Sequence, residues 1–331
     1  MVADKDNGRV AHQAARRNNM HLQGEWNQGD AYGGDGSIGS RQEYHLFRKP
    51  SAKRMASMHK LSMDEVKQVE LDILLEFDHI CSEHGLTYLL GYGTALGAAR
   101  HGGFIPWDDD VDVIMPRDDY ERLFLLFSEG SLETELKLTS YRDGSSIYNF
   151  MKLTDPRTRV EETFVGDDYS SSGLWIDVFP IERVLPSTDS TQTYKACRRQ
   201  YFLRELSVGD PNRGTSSTAI LVKRLLHPLA KRHDPLDRAR IIDEKARALN
   251  VAPPKDGSRV EWVCIDDLTL STSRYPDEML FPPRLLNFEG HELPAPGAID
   301  EYLTHCYGDW RQLPPESERI PHFTEAYSSE E

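Results

Sequence analysis

The chain has 331 residues, with 39 basic and 54 acidic side chains and a formal net charge of -15. This acidity argues against broad nucleic-acid binding, which needs a basic surface. No apolar run approaches the length of a membrane span, and the N-terminus lacks the apolar core of a signal peptide, so the sequence predicts a cytoplasmic protein. The four cysteines are scattered and form no CxxC pair, which argues against a disulfide framework or a structural zinc site.

The chain divides by composition into a polar tail and one folded unit. Residues 1–57 are rich in Gly, Asn, Gln, Asp and Arg with little periodic apolar content, and we predict a disordered tail there. A single domain is predicted over residues 58–325, followed by a frayed end over residues 326–331. Its first helix is predicted from the S-x-x-E capping box of Ser62 and Glu65, and Gly85 is the predicted stop.

A glycine-rich turn follows the first predicted strand, residues 86–90. Gly93 lets the backbone approach a ligand closely, and Thr94 can cap the following helix or contact an oxygen. Free N–H groups at the start of a helix favour phosphate. An ordinary strand-to-helix turn is the alternative for this pair. The position one short helix before an acidic strand favours the phosphate-binding interpretation.

Carboxylates alternate with apolar residues in the next predicted strand, residues 110–115. Because side chains alternate between the faces of a strand, Asp110 and Asp112 point the same way, and Asp108 joins them if the strand extends backwards. Clustered like charges need compensation, and a divalent cation such as Mg²⁺ supplies it where phosphates take part. A solvated acidic loop is the alternative.

Two further charged residues lie within apolar segments. Asp177 is the one carboxylate in the strand-like run 173–181, and burial of a lone carboxylate is costly unless it is paired or metal-bound. We therefore expect it to complete the cluster of Asp110 and Asp112, with a salt bridge to Lys152 or Arg159 as the alternative. Lys152 itself either extends to the surface or neutralises a bound phosphate.

Residues 191–249 are predicted to form an accessory helical insertion that is locally basic, against the trend of the whole chain. Two interpretations stay open for this segment. Its basic residues lie on solvated helix faces, or they make peripheral contact with an anionic membrane surface or a lipid-linked acceptor.

Four segments together resemble the LicD family of phosphocholine transferases, which includes the fukutin-related proteins. They are GYGTALGAARHGGFIPWDDDVDVIMPRDDYERL, YNFMKLTDPRT, GLWIDVFPIE and the C-terminal stretch from FEGHELPAP to RIPH. The resemblance covers about residues 60–325. It implies an α+β fold of the nucleotidyltransferase (DNA polymerase beta-like) type, in which a mixed sheet flanked by helices bears a G-[S/T] turn, a D-x-D strand and a third carboxylate. The zinc-binding cysteine cluster of the fukutin-related branch has no counterpart here.

The resemblance also implies a reaction. A phospho-alcohol, most commonly phosphocholine from CDP-choline, passes to a sugar hydroxyl of a cell-surface glycan such as teichoic acid or lipopolysaccharide, and CMP leaves. The partners are a CDP-linked alcohol and a glycan or lipid-linked saccharide, with no nucleic acid, and the location is the cytoplasm or the inner face of the membrane. The rival hypotheses are a nucleotidyltransferase that releases pyrophosphate and a non-catalytic nucleotide-binding protein.

Roles for individual residues follow from that reaction. Mg²⁺, or Mn²⁺ in its place, would be held by Asp110, Asp112 and Asp177. Asp177 or Asp108 would accept the proton of the incoming hydroxyl. The donor phosphates would contact Gly93, Thr94, Arg100 and Lys152.

Overall fold

The computed structural model describes residues 58–161, 173–211, 217–265, 274–316, 319 and 325–329. The predicted tail over residues 1–57 lies outside this part of the chain. The described residues combine helices with a mixed sheet, as the α+β prediction requires. All four cysteines are buried, and none of them forms a disulfide.

A seven-stranded sheet forms the centre of the domain. Its strands are β2 (Leu89–Leu90), β3 (Asp112–Pro116), β4 (Lys137–Thr139), β5 (Met151–Thr154), β7 (Trp175–Val184), β8 (Glu261–Val263) and β9 (Arg274–Pro276). They run in the order β2-β3-β7-β5-β4, and β8 and β9 extend the sheet from the C-terminal end of β7. The pair β3 and β7 is parallel, whereas the other pairs are antiparallel, so the sheet is mixed.

Helices cover the sheet and supply much of the core. The first of them begins at the predicted capping box, in which the Glu65 backbone N–H donates to the Ser62 hydroxyl and the Glu65 carboxylate accepts from the Ser62 backbone, and it ends at Gly85 in the left-handed conformation. The helices are α1 (Met63–His84), α2 (Tyr92–His101), α3 (Arg117–Glu129), α4 (Thr191–Val208), α5 (Ser217–Ala230), α6 (Pro235–Arg247), α7 (Asp277–Leu280) and α8 (Ile299–Tyr307).

Two smaller sheets complete the described structure. The hairpin of β10 (Arg284–Phe288) and β11 (His291–Ala295) turns at Glu289 and Gly290. The other sheet is antiparallel, with β12 (Glu325–Ser329) between β1 (Met58–Lys60) and β6 (Thr158–Glu161).

The prediction of a frayed end over residues 326–331 is wrong for residues 326–329. They lie in β12, whose backbone groups are bonded on both sides, and Ala326 is buried. Residues 330 and 331 lie outside the described part. The polar sequence EAYSS has no strand pattern of its own. It forms a strand by pairing with β1 and β6, which lie far away in the chain.

Two predicted strands are shorter than the sequence suggests. The strand predicted over residues 86–90 is reduced to the two residues of β2, and the acidic strand begins at Asp112 instead of Asp110. Asp110 therefore belongs to the loop that enters β3. The shortening matters for the site, because only one of the two alternating aspartates has a position fixed by the sheet.

The predicted accessory helices are α4, α5 and α6. Side chains from α4 and α6 form a small core of their own with Ile265, separate from the main core. Within the described residues, no helix is long and apolar enough to cross a membrane.

Candidate active site

Three charged side chains form a row across the centre of the sheet. Asp112 on β3 is in register with Asp177 on β7, and Asp177 is in register with Lys152 on β5. Neighbouring strands lie about 4.8 Å apart, so the three Cα atoms are spaced by about that distance. All three residues are at least 95% buried, with exposed fractions of 5%, 3% and 5%. The expectation that Asp177 lies beside Asp112 agrees with this register.

Lys152 connects the row to a set of aromatic rings. Its Nζ lies 3.3 Å from an Asp177 carboxylate oxygen. The same atom lies 3.7 Å from the centroid of the Trp175 ring and 4.6 Å from that of Tyr148. A buried ammonium is stabilised by an opposite charge and by aromatic faces. The sequence left two interpretations open for Lys152, and the structure excludes an extension to the surface. The alternative salt bridge of Asp177 to Lys152 is also present, alongside the pairing with β3.

The glycine turn lies against the acidic segment. The Thr94 hydroxyl accepts a hydrogen bond from the backbone N–H of Asp112 at 2.8 Å, which fixes the start of β3 to helix α2. A Cβ atom added to Gly93 would lie 2.9 Å from Oδ2 of Asp108, closer than real Cβ atoms approach other groups. Gly93 thus leaves room for the Asp108 carboxylate at the start of α2. Tyr92 beside it has φ of 42°, which is unusual for a non-glycine residue.

Two residues that the sequence reasoning missed lie near the aspartates. Glu70 on α1 is 1% exposed, and burial, followed by the charges of Asp110, Asp109 and Asp108, raises its pKa well above the usual value. The pKa of Tyr307, at the end of α8, is raised by burial, then by Cys306, and then by Asp112, Asp108 and Asp110. Neither residue has a motif around it, and only the packing of α1 and α8 reveals their position. Burial is the main cause of both raised pKa values, and the nearby aspartates add to it.

Arg100 lies at the other end of α2 from the glycine turn. Its Nη1 donates to the Trp310 carbonyl oxygen at 2.9 Å, and its Nε donates to the His101 ring at 2.9 Å. Burial lowers its pKa, while Tyr307 and Asp108 oppose that shift. The guanidinium therefore interacts electrostatically with Asp108, although it also donates a hydrogen bond to the loop after α8.

The chemistry of the acidic side chains suits a hard divalent cation, although they do not form a complete cage. Asp112 and Asp177 are Cα partners on adjacent parallel strands, so their side chains point to the same face of the sheet. Among the described residues, no three Asp, Glu, His or Cys side chains converge tightly enough to hold an ion by themselves. This finding includes the predicted metal ligands Asp110, Asp112 and Asp177. Mg²⁺ in particular is commonly bound by one or two carboxylates together with substrate phosphates and water. The donor set therefore fits an ion that arrives with a phosphate ligand.

Comparisons with known proteins agree with the resemblance of the sequence. The model of the family described as "LicD/FKTN/FKRP, nucleotidyltransferase domain" matches residues 85–202, which include β3, β5 and β7. The lipopolysaccharide cholinephosphotransferase LicD of Haemophilus influenzae is 30% identical over 280 residues, which are 82% of this chain and 99% of that protein. An uncharacterized protein of Rickettsia typhi is 34% identical over 65 residues, 19% of this chain and 21% of that protein.

Proposed function

The chain belongs to the LicD family, and from this premise we propose that it is a phosphocholine transferase. It takes a phospho-alcohol from a CDP-linked donor, most commonly CDP-choline, and attaches it to a sugar hydroxyl of a cell-surface glycan such as lipopolysaccharide, with release of CMP. The observation that carries the proposal is the pairing of Asp112 with Asp177 on adjacent parallel strands, inside the segment that the family model matches. The fold of that segment is proposed to be of the nucleotidyltransferase type.

Asp112 and Asp177, with Asp110 at the edge, are proposed to hold Mg²⁺ (or Mn²⁺) together with oxygens of the donor diphosphate. When bound, the ion would neutralise negative charge on the transferring phosphoryl group. Support for this role comes from the crowding of acidic groups, which adds to burial in raising the pKa of Glu70 and Tyr307. A site with several carboxylates repels a diphosphate unless positive charge accompanies it.

The start of α2 is proposed to hold the donor phosphates. The N–H of Tyr92 donates to the Tyr302 hydroxyl, but Gly93 presents no side chain, so a phosphate oxygen can approach the backbone N–H groups that follow Tyr92 in the first turn. Thr94 contributes indirectly, since its hydroxyl accepts from the Asp112 N–H and keeps the carboxylate of Asp112 beside that turn. Lys152 on β5 supplies a positive charge beside Asp177, and Arg100 supplies another at the end of α2.

The reaction is a displacement at phosphorus. The acceptor hydroxyl oxygen forms a bond to the phosphorus that bears the alcohol, the bond from that phosphorus to the CMP oxygen breaks, and the hydroxyl proton passes to a carboxylate. Asp177 in the row of charges and Asp108 beside Gly93 are the candidate bases, and both are buried. Most of the rate enhancement would come from positioning and electrostatics, as is usual for phosphoryl transfer.

Choline is the proposed alcohol on the donor, because the Haemophilus influenzae relative is a lipopolysaccharide cholinephosphotransferase. The rings of Tyr148, Phe150 and Trp175 surround the Lys152 ammonium, which lies within 6.0 Å of all three centroids. They stabilise a buried positive charge in the row of the candidate site.

The test is a donor screen with the purified full chain. CDP-choline, CDP-glycerol, CDP-ribitol and CTP are each incubated with lipopolysaccharide as acceptor, with and without Mg²⁺, and the products are separated. We expect CMP from CDP-choline only when both acceptor and Mg²⁺ are present. Release of pyrophosphate from CTP would indicate nucleotidyl transfer instead. Thermal stabilisation by nucleotide without any product would indicate a binding protein. Either of the last two results overturns the proposal.

A further inference from the structure

Helix α5 exposes a continuous apolar face that core packing does not explain. Ten large hydrophobic side chains are exposed among the described residues, and five of them lie on this one helix. At 100° per residue they fall within an arc of about 140°. The five, with their exposed fractions, are Leu221 (59%), Val222 (52%), Leu225 (70%), Leu226 (40%) and Leu229 (59%).

The opposite side of α5 is the side that faces the protein. His227 Nδ1 lies 2.9 Å from the Leu206 carbonyl oxygen of α4, and Ala230 is 3% exposed. These contacts fix the rotation of the helix about its axis. The apolar arc is therefore held outward by the fold, and the helix does not need to turn in order to present it.

Charge distinguishes this segment from the rest of the molecule. Between Pro211 and His233 the chain contains five basic residues and no acidic one, whereas the whole chain has a net charge of -15. Lys223 and Arg224 fall on either side of the apolar arc by the helical rotation. Lys231 and Arg232 follow directly after the helix and are exposed.

We propose that the apolar face of α5 docks on an anionic phospholipid surface. An apolar arc bordered by Lys and Arg is the pattern of a helix that lies in the plane of the membrane interface. Its side chains would enter the headgroup region while the neighbouring cations contact lipid phosphates. An acidic protein is repelled by an anionic membrane over most of its surface, so the local excess of positive charge also fixes which side approaches. The inference is independent of the reaction proposed above, since it uses none of the residues of the site.

Vesicle co-sedimentation of the full chain tests this inference. We expect wild-type protein to pellet with vesicles of equal parts phosphatidylcholine and phosphatidylglycerol, and much less with phosphatidylcholine alone. The double variant Leu225→Asp/Leu229→Asp should lower the partition coefficient at least tenfold. Leu285→Asp, at a leucine that is 58% exposed on β10, is the matched control and should bind like wild type. Lys231→Glu/Arg232→Glu should remove the preference for phosphatidylglycerol.

Two results would overturn the inference. One is equal pelleting of wild type and the Leu225→Asp/Leu229→Asp variant, including the case in which neither pellets. The other is a dimer in light scattering that the same variant dissociates, because a second copy of the chain would then cover the face. Melting curves establish that the variants fold, and exposed positions are expected to tolerate these substitutions.

Discussion

Strand β7 carries two buried carboxylates in opposite electrostatic settings. Asp177 near its beginning lies in the charged row of the candidate site, and Glu182 near its end lies in a buried ion network. The two are five residues apart, so alternation puts them on opposite faces of the strand. Both are at most 3% exposed. The same strand thus supports a site on one face and a structural network on the other.

The network around Glu182 matches negative with positive charge. The Arg117 guanidinium contacts the Glu182 carboxylate, and it also lies 2.9 Å from Asp243 on α6. Burial acts to raise the pKa of Asp243, but Arg117, the Tyr141 hydroxyl, Arg142 and Arg247 hold it below the usual value. This network joins the sheet to the accessory helices.

The contrast lies in the charges that surround each buried group. Burial acts to raise the pKa of Glu70, Glu182 and Asp243 alike. At the acidic segment the neighbouring aspartates add to that shift in Glu70, whereas at the network the arginines oppose it and hold the pKa of Asp243 below its usual value. Breaking a buried ion pair destabilises the fold, because one charge is left unmatched, whereas a cluster of like charge is itself retained at a cost in stability. We therefore assign the carboxylates of the acidic segment to the proposed reaction and those of the Arg117 network to the stability of the fold.

Asp112→Asn tests the site side of this contrast and should have the largest effect on turnover. We expect turnover, measured as CMP release, to fall by about 10³-fold, which corresponds to roughly 4 kcal/mol of transition-state stabilisation. The melting temperature should hold or rise, because the substitution removes one of several like charges. A variant with wild-type turnover would refute the assignment of Asp112 to the reaction.

The reciprocal change is Arg117→Met in the network. It leaves Glu182 and Asp243 buried without their shared guanidinium, and the loss is expected to be about 3 kcal/mol of unfolding free energy. Urea denaturation measures it. Turnover per folded molecule should stay near wild type. The double variant Arg117→Met/Glu182→Leu should recover part of the stability, and a loss below about 1 kcal/mol in the single variant would contradict a structural role.

Lys152→Met tests whether the ammonium serves the site or only the fold. We expect kcat/KM for the donor to fall by about 10²-fold, or roughly 2.7 kcal/mol, because a charge opposite the phosphates is lost. Lys152→Arg is the control, since it keeps the charge but changes its geometry. If both variants lose stability and neither loses rate once folded, Lys152 is only the structural partner of Asp177.

Gly93→Ala should also lower the rate, by a smaller factor than Lys152→Met. The added Cβ forces the Asp108 carboxylate to move, and we expect about a tenfold loss of turnover, near 1.4 kcal/mol. Stability should hold or improve, because Ala favours a helix more than Gly does. Steady-state kinetics and a melting curve on the same sample separate the two effects. Unchanged turnover would mean that the approach of Asp108 to Gly93 has no role in the reaction.

The smallest effect concerns acid stability. The folded-state pKa of Asp243 lies below its unfolded value of about 3.9, so its carboxylate stabilises the fold above that pH, and the contribution is lost as the pH falls through the lowered folded pKa. In Asp243→Asn, the unfolding free energy should therefore decline less steeply below about pH 4 than in wild type. A pH series of urea melts checks this, and parallel curves would contradict it.

Sequence patterns predict a feature correctly where the residues that form it lie close together in the chain. The capping box of Ser62 and Glu65 and the stop at Gly85 depend on contacts within a few residues, and the structure agrees with both. The single carboxylate in the apolar run of β7 stands out for the same reason. Asp177 could be assigned beside Asp112 because burial of an acid in such a run demands a partner.

Contacts between distant segments of the chain become visible only in the tertiary structure. Arg117, Glu182 and Asp243 lie far apart in the chain and show no motif, so neither the network nor its contrast with the site is visible in the residues alone. Glu70, Tyr307 and the strand β12 were missed for the same reason. Local patterns record the preferences of the backbone over a few residues, whereas the potential at a buried group is a sum over every charge that folding brings near it.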